Sequence, residues 1–168
     1  MLAPGIAVSP QAREALVQDP FVAQALGALD EVTLALVGIG ALEPSSLLQR
    51  SGNIFSESEL EALAGRGAVG DICLRFYDPA GRPVASDLDA RVIGITLEQL
   101  RRADRSVGIA GGRRKYRAIL GALRGRWINV LITDHATAER LLAEPAAPAA
   151  GDTVASAAEP SGGPAPHA

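Results

Sequence analysis

The stretch from Ser106 to Lys115, SVGIAGGRRK, decides the interpretation of the fold. Residues 106–110 form a short apolar run of the kind found in strands of buried parallel sheets. Two glycines follow, and from 113 to 124 apolar residues recur at the spacing of a helix. Paired glycines let a ligand approach the backbone closely, and a helix start offers amide groups and the positive end of its dipole. The stretch therefore predicts a strand, a tight turn and a helix that together suit a phosphate.

The same alternation of strand and helix signals continues on both sides of this stretch. Apolar runs predict further strands at 32–39, 69–77 and 128–132, and N-capping residues predict the helices around them. The first predicted helices are 10–17 and 20–29. Ser56 with Glu59 predicts a capped helix over about 57–65, and Thr96 with Gln99 predicts another. The last predicted helix begins after Asp134 and ends near Leu142. Because the connections are short, the pattern predicts an α/β fold with a mostly parallel sheet and flanking helices.

Composition and charge exclude several classes of function. Of the 168 residues, 48% are hydrophobic and 21% are charged, which is ordinary for a globular protein. Basic and acidic residues balance over 1–143, so we do not expect this chain by itself to bind duplex DNA. One cysteine, Cys73, and two separated histidines predict neither a disulfide nor a metal site. No apolar stretch approaches about 18 residues, so we expect a cytoplasmic protein without membrane contact.

The chain divides into two parts by composition. Residues 1–143 carry every strand and helix signal, whereas 144–168 are mostly Ala, Pro, Gly and Ser and are expected to be disordered. The first part opens with a loop and helices, while a doubly wound domain begins with a strand, a loop and a helix. We therefore expect 1–143 to be the back half of a larger domain.

Cations beside the Gly111-Gly112 turn are the first candidate ligand contacts. Lys115 is the only lysine of the chain, and it follows Arg113 and Arg114 at the predicted helix start. The spacing is neither that of a P-loop nor that of a dinucleotide fingerprint. The alternative is a tight turn with solvated arginines. We favour Lys115 over the two arginines as the phosphate contact.

Other candidates lie in or after the other predicted strands. Asp71 lies in an otherwise apolar run, where an unpaired carboxylate would be costly, so it needs a ligand hydroxyl or an internal arginine. Gly38 and Gly40 end the first strand, and ligands of open parallel sheets bind beyond the carboxyl ends of strands. Close packing at a turn explains these two glycines equally well. Arg50, in the following loop, is either a solvated side chain or a further ligand contact.

Seven motifs occur in a fixed order over 1–142. They are VGIG at 37–40, GAVGDI at 67–72, FYD at 76–78 with Gly81, RVIGI at 91–95, AGG at 110–112 with Lys115 and the AI pair at 118–119, ALRG at 122–125, and VLITD at 130–134. In this order they resemble the sugar-binding domain of SorC-type bacterial transcriptional regulators. The resemblance implies a Rossmann-like domain similar to sugar-phosphate isomerases and deaminases, here truncated at its N-terminus. Lys115 matches the family's lysine that contacts a ligand phosphate, and Asp71 matches its acidic residue that contacts the sugar.

The resemblance also implies a function without catalysis. Such a module binds a phosphorylated sugar as its effector, needs no cofactor and forms a homo-oligomer. Effector binding is coupled to the regulation of transcription. Operator DNA is bound only by a helix-turn-helix region, which is missing from this chain. Two alternatives stay open. One is a sugar-phosphate isomerase or deaminase-like enzyme, which would need an acid–base pair where the sequence offers only Asp71. The other is an interaction-only remnant that oligomerises through an exposed sheet edge.

Overall fold

The computed structural model describes residues 3–42 and 56–145, which form two small sheets with helices packed against them. The strands are β1 Leu34–Gly38, β2 Gly40–Ala41, β3 Gly70–Ile72, β4 Arg75–Tyr77, β5 Arg105–Ile109 and β6 Val130–Ile132. The helices are α1 Pro10–Val17, α2 Pro20–Gly27, α3 Glu57–Gly65, α4 Leu97–Arg102, α5 Tyr116–Arg124 and α6 His135–Leu142. Short 3-10 turns span Ala28–Glu31, Asp87–Ala90 and Arg113–Lys115.

The parallel sheet has the strand order β1-β5-β6 and confirms the predicted α/β fold. Leu36 of β1 pairs with Val107 of β5, which pairs in turn with Val130 of β6. A buried cluster fills one side of this sheet and takes side chains from β1, α4 and α5. Trp127 belongs to this cluster and donates its indole N–H to the Gly81 carbonyl over 2.8 Å.

The prediction of one parallel strand over 69–77 is wrong. The segment folds back on itself as the β3–β4 hairpin, and β2 pairs with β3 to make a separate antiparallel sheet. Cys73 and Leu74 form the two-residue turn with φ values of 52° and 65°, which is the backbone of a type I′ turn. The run looked continuous because neither turn residue is a glycine or an asparagine and most residues of 69–77 are apolar.

Capping residues were the most reliable sequence signals. Ser56 with Glu59 and Thr96 with Gln99 form the predicted capping boxes of α3 and α4, and Asp134 caps α6. The helix predicted over 113–124 begins as a 3-10 turn, so its α-helical part starts only at Tyr116. The other correction concerns α2, which ends at Gly27 and passes into a 3-10 turn.

Glycine brings the hairpin close to α5, and this contact places the candidate site. A Cβ atom on Gly70 would collide with Ala118 of α5, so only glycine lets β3 and the helix approach this closely. The Tyr77 hydroxyl of β4 donates to the Ala118 carbonyl over 3.0 Å and fixes the same contact. The hairpin is therefore held against the helix that follows the Gly111-Gly112 turn.

Candidate functional site

The turn after β5 is fixed to the start of α6. Gly112 has a φ of 89°, which favours glycine, and its N–H donates to Asp134 Oδ2 over 2.7 Å and to Thr137 Oγ1 over 3.2 Å. A Cβ atom on Gly111 would collide with the Asp134 carboxylate. Both glycines are therefore required by the turn itself, and the Gly112 amide is already bonded within the protein rather than turned toward a ligand.

Asp134 has a second role that the sequence did not reveal. Besides Gly112, its carboxylate accepts hydrogen bonds from the Thr137 N–H over 2.9 Å and from the Thr137 hydroxyl over 2.7 Å. These bonds, first of all those from Thr137, lower the pKa of Asp134 to about 2. In the sequence, the role of Asp134 as the N-cap of the last helix already accounted for an acidic residue at this position. No local signal indicates that it also binds Gly112, which lies 22 positions earlier.

Asp71 and Lys115 are brought together although they lie 44 positions apart. Asp71 lies in β3, and Lys115 ends the 3-10 turn before α5, the helix against which β3 packs. Burial raises the pKa of Asp71, while the Leu74 N–H and then the Lys115 charge act to lower it. The Lys115 ammonium thus acts on the Asp71 carboxylate, which accepts a hydrogen bond from the Leu74 N–H over 3.1 Å.

Gly40 and Gly38 differ in what they contribute. Gly40 pairs with Asp71 across the β2–β3 ladder, and a Cβ atom there would collide with Asp71 Oδ1. Gly40 therefore makes room for the carboxylate. A Cβ atom on Gly38 would lie in open space, so close packing does not explain this glycine.

The arginines expected at the site are less well placed than Lys115. Arg113 and Arg114 are exposed, and Arg50 lies outside the described residues. Arg114 and Arg117 line a groove of about 390 Å³ that also takes in Ala41 at the end of β2. Neither Asp71 nor Lys115 lines this groove, so the two arginines are not placed at the Asp71 carboxylate.

A buried hydroxyl lies at the same sheet end. Thr133 follows β6 and precedes Asp134, and its Oγ1 atom is buried without a hydrogen-bond partner in the described part of the chain. We did not expect a role for this residue from the sequence. Thr133 directly follows the apolar strand β6, at the same end of the sheet where Gly111 and Gly112 follow β5. This position was a signal in the sequence that could have pointed to Thr133.

The arrangement suits binding better than proton transfer. Tyr77 and Cys73 both respond to the charge of Asp71, but burial is the main cause that raises the pKa of each. The Tyr77 hydroxyl is also committed to Ala118. Over 3–42 and 56–145 there is no group of three side chains that could hold a metal ion, and no helix there is long and apolar enough to cross a membrane.

The chain matches known proteins along nearly its whole described length. Residues 1–143 match the family model "Putative sugar-binding domain". An uncharacterized transcriptional regulator of Escherichia coli K12, YjhU, is 39% identical over 140 residues, which are 83% of this chain and 42% of the relative. The sorbitol operon regulator of Klebsiella pneumoniae is 37% identical over 142 residues, or 83% of this chain and 44% of the relative. The chain thus spans less than half the length of these relatives.

Solved structures agree with these matches. The full-length sorbitol operon regulator SorC of Klebsiella pneumoniae superposes with a TM-score of 0.76 at 36% identity, over 83% of this chain and 45% of that one. A sugar-binding domain of a transcriptional repressor from Vibrio fischeri superposes with a TM-score of 0.74 at 34% identity. That match covers 84% of this chain and 56% of the Vibrio fischeri chain.

Proposed function

This chain belongs to the sugar-binding domain family of SorC-type transcriptional regulators, and we propose that it is a module that binds a phosphorylated sugar effector. In this proposal the Lys115 ammonium contacts the phosphate and the Asp71 carboxylate accepts a hydrogen bond from a sugar hydroxyl. Gly111 and Gly112 shape the turn that presents Lys115, and Gly40 makes room for Asp71. Arg113 and Arg50 are secondary candidates for the phosphate, and Gly38 for close approach of the ligand.

The observation that carries this proposal is the position of Lys115 on the turn before α5, near enough to the buried Asp71 carboxylate for its charge to lower the pKa of Asp71. A partly buried carboxylate is costly unless it is hydrogen-bonded or paired. The Leu74 N–H and the Lys115 charge offset only part of this cost, since burial remains the largest cause of the shift in the pKa of Asp71. A sugar hydroxyl would supply a further hydrogen bond, and a phosphate would supply the anion for which Lys115 is suited.

The regulatory part of the proposal follows from the relatives. Transcriptional regulators such as the sorbitol operon regulator match this chain over less than half of their own length. We propose that operator DNA is bound through a helix-turn-helix region outside this chain, that the assembly is a homo-oligomer, and that it acts in the cytoplasm. The names of the relatives favour a role without catalysis. A turnover assay with several sugar phosphates tests this point, and product formation above background would contradict it.

A thermal-shift screen tests the binding proposal. Sugar monophosphates, sugar bisphosphates and the unphosphorylated sugars are each added to the wild-type chain, to Lys115→Ala and to Arg102→Ala. A ligand that binds the folded state adds about 2.7 kcal/mol of stability at one hundred times its dissociation constant. We expect a phosphorylated sugar to raise the melting temperature of the wild type and of the exposed control Arg102→Ala, and to lose most of this effect in Lys115→Ala. If no sugar phosphate stabilises the wild type, or if one stabilises all three proteins equally, the proposal is wrong.

A further inference from the structure

The groove that Arg114 and Arg117 line has a composition that suits an anion. It lies where the end of α3 and the segment before β3 face the start of α5, and its volume of about 390 Å³ is that of a small-molecule site. Besides the two arginines it is lined by small or apolar residues, namely Ala41, Leu42, Ala64, Gly67, Ala68 and Val69. No carboxylate is among these lining residues. We call this site the arginine groove.

The spacing of the two arginines brings them to one side of the helix. Arg114 lies in the 3-10 turn before α5, and Arg117 lies in the first turn of α5 itself. Residues three positions apart are neighbours on a helix surface. Lys115 lies between them in the sequence but does not line the groove, and its charge acts on Asp71. The arginine groove is therefore separate from the proposed sugar site.

The positive charge of the arginine groove is unbalanced. Both arginines are exposed, and within 3–42 and 56–145 neither side chain forms a hydrogen bond, an ion pair or a ring contact. Two other grooves that contain an arginine are different. Arg75 lines one of about 280 Å³ and pairs there with Asp89 over 3.2 Å. Arg66 lines another together with Glu59 and Asp87. In each of these the arginine has carboxylates beside it.

Stability does not explain the two arginines of the groove. Like charges three positions apart on a helix repel each other and destabilise it slightly. Cations in the first turn also face the positive end of the helix dipole, where acidic residues would be favourable. Both costs would be removed by an anion bound to the two guanidinium groups. The arrangement is thus unfavourable in the free chain and favourable with an anion.

We propose that the arginine groove is a second anion site, which binds the phosphate group of a small molecule through Arg114 and Arg117. A guanidinium group donates paired N–H groups that match phosphate oxygens, and two such groups balance the two negative charges of a phosphate. The small side chains of Ala64 and Ala68 leave room for the rest of the ligand. The site does not depend on the proposed function, because neither Asp71 nor Lys115 belongs to it.

A titration with inorganic phosphate, followed by NMR of the isotope-labelled full chain, tests the site. The backbone amide signals of residues 67–69 report on the groove, and sodium chloride keeps the ionic strength constant. The double variant Arg114→Gln/Arg117→Gln removes both guanidinium groups. The matched control Arg102→Gln/Arg126→Gln removes the same charge from two exposed positions outside the groove. Lys115→Ala is the third variant, and circular dichroism shows whether each variant folds.

We expect phosphate to shift the signals of residues 67–69 to saturation in the wild type, in the control double variant and in Lys115→Ala. In Arg114→Gln/Arg117→Gln the affinity should fall at least about tenfold, as the loss of charged hydrogen bonds predicts. Three results overturn the proposal. The first is the absence of a saturable shift in the wild type. The second is equal weakening by the control double variant, which would show general charge attraction only. The third is loss of the shift in Lys115→Ala, which would place the phosphate at Lys115 instead.

Titrations with a sugar bisphosphate identify the source of the phosphate group. If its affinity falls both in Lys115→Ala and in Arg114→Gln/Arg117→Gln, the groove takes the second phosphate of the effector. If its affinity falls only in Arg114→Gln/Arg117→Gln, the groove binds a phosphate compound of its own. Either result supports the anion site. Failure of every sugar phosphate to bind at Lys115 would contradict the proposed function but would leave the result with inorganic phosphate unchanged.

Discussion

Gly40 lies opposite Asp71 in the β2–β3 ladder, and the Asp71 carboxylate fills the space that a side chain on Gly40 would take. The motif that ends the first strand and the acidic residue of the hairpin are therefore parts of one arrangement. Lys115 lies on the turn before α5, and its positive charge lowers the pKa of the same carboxylate. Three separate sequence segments thus meet at Asp71.

Replacing Gly40 should disturb this arrangement while replacing Gly38 should not. In Gly40→Ala the new methyl group forces the Asp71 carboxylate aside, and overpacking of this kind costs about 1–3 kcal/mol. In Gly38→Ala the methyl group enters open space, and we expect a stability within about 1 kcal/mol of the wild type, because alanine restricts the unfolded chain. Urea unfolding measures both. Equal destabilisation by the two substitutions would contradict the account.

Removing the charge of Asp71 should separate stability from binding. Burial raises the pKa of Asp71, so its ionised form is disfavoured in the folded protein and its contribution to stability falls as the pH rises through the folded pKa. Asp71→Asn keeps an acceptor for the Leu74 N–H. We expect this variant to be at least as stable as the wild type at pH 7 but to bind the sugar phosphate about 10- to 100-fold more weakly, as the loss of a charged hydrogen bond predicts. A variant that is less stable and binds normally would show that Asp71 acts only in the hairpin.

Asp134 should make the stability of the chain depend on acid pH. Its pKa is lowered to about 2 in the folded protein from an ordinary value near 3.8, so the stability it contributes is complete above about pH 5 and is lost as the pH falls toward 2. Asp134→Asn lacks this pH-dependent contribution to stability and places an amide against the Gly112 and Thr137 donors. We expect the two proteins to differ in urea unfolding at pH 6 and to converge near pH 2. The exposed Asp104→Asn is the control, and a difference for Asp134→Asn that does not change with pH would contradict this reading.

Cys73 should be the position where the hairpin can be improved. Its φ of 52° lies in the left-handed region, which asparagine tolerates better than other non-glycine residues and β-branched residues tolerate worst. We expect Cys73→Asn to stabilise the chain and Cys73→Val to destabilise it, each on the order of 1 kcal/mol. Thermal unfolding of the wild type and the two variants checks the order of stability Asn, Cys, Val at this turn position.

The sequence predicted local features well and long-range ones poorly. Caps such as Ser56 with Glu59 and the strand before Gly111 are encoded within a few residues, and each appears where it was expected. The hairpin at Cys73 was missed because neither turn residue is a glycine or an asparagine, although the Leu74 N–H donates a hydrogen bond to the Asp71 carboxylate within the turn. The bond between Asp134 and Gly112 was missed because the helix cap already explained Asp134.

We propose above all that the Lys115 ammonium contacts the phosphate of the ligand. One titration tests this contact most directly. Isothermal titration calorimetry measures the dissociation constants of a sugar phosphate and of its unphosphorylated sugar for the wild type and for Lys115→Ala. We expect the wild type to prefer the phosphorylated form by about 10- to 100-fold, as one charge-assisted contact would give. We expect Lys115→Ala to lose most of this preference, while its affinity for the unphosphorylated sugar hardly changes. An unchanged preference for the phosphorylated sugar in Lys115→Ala would contradict the account.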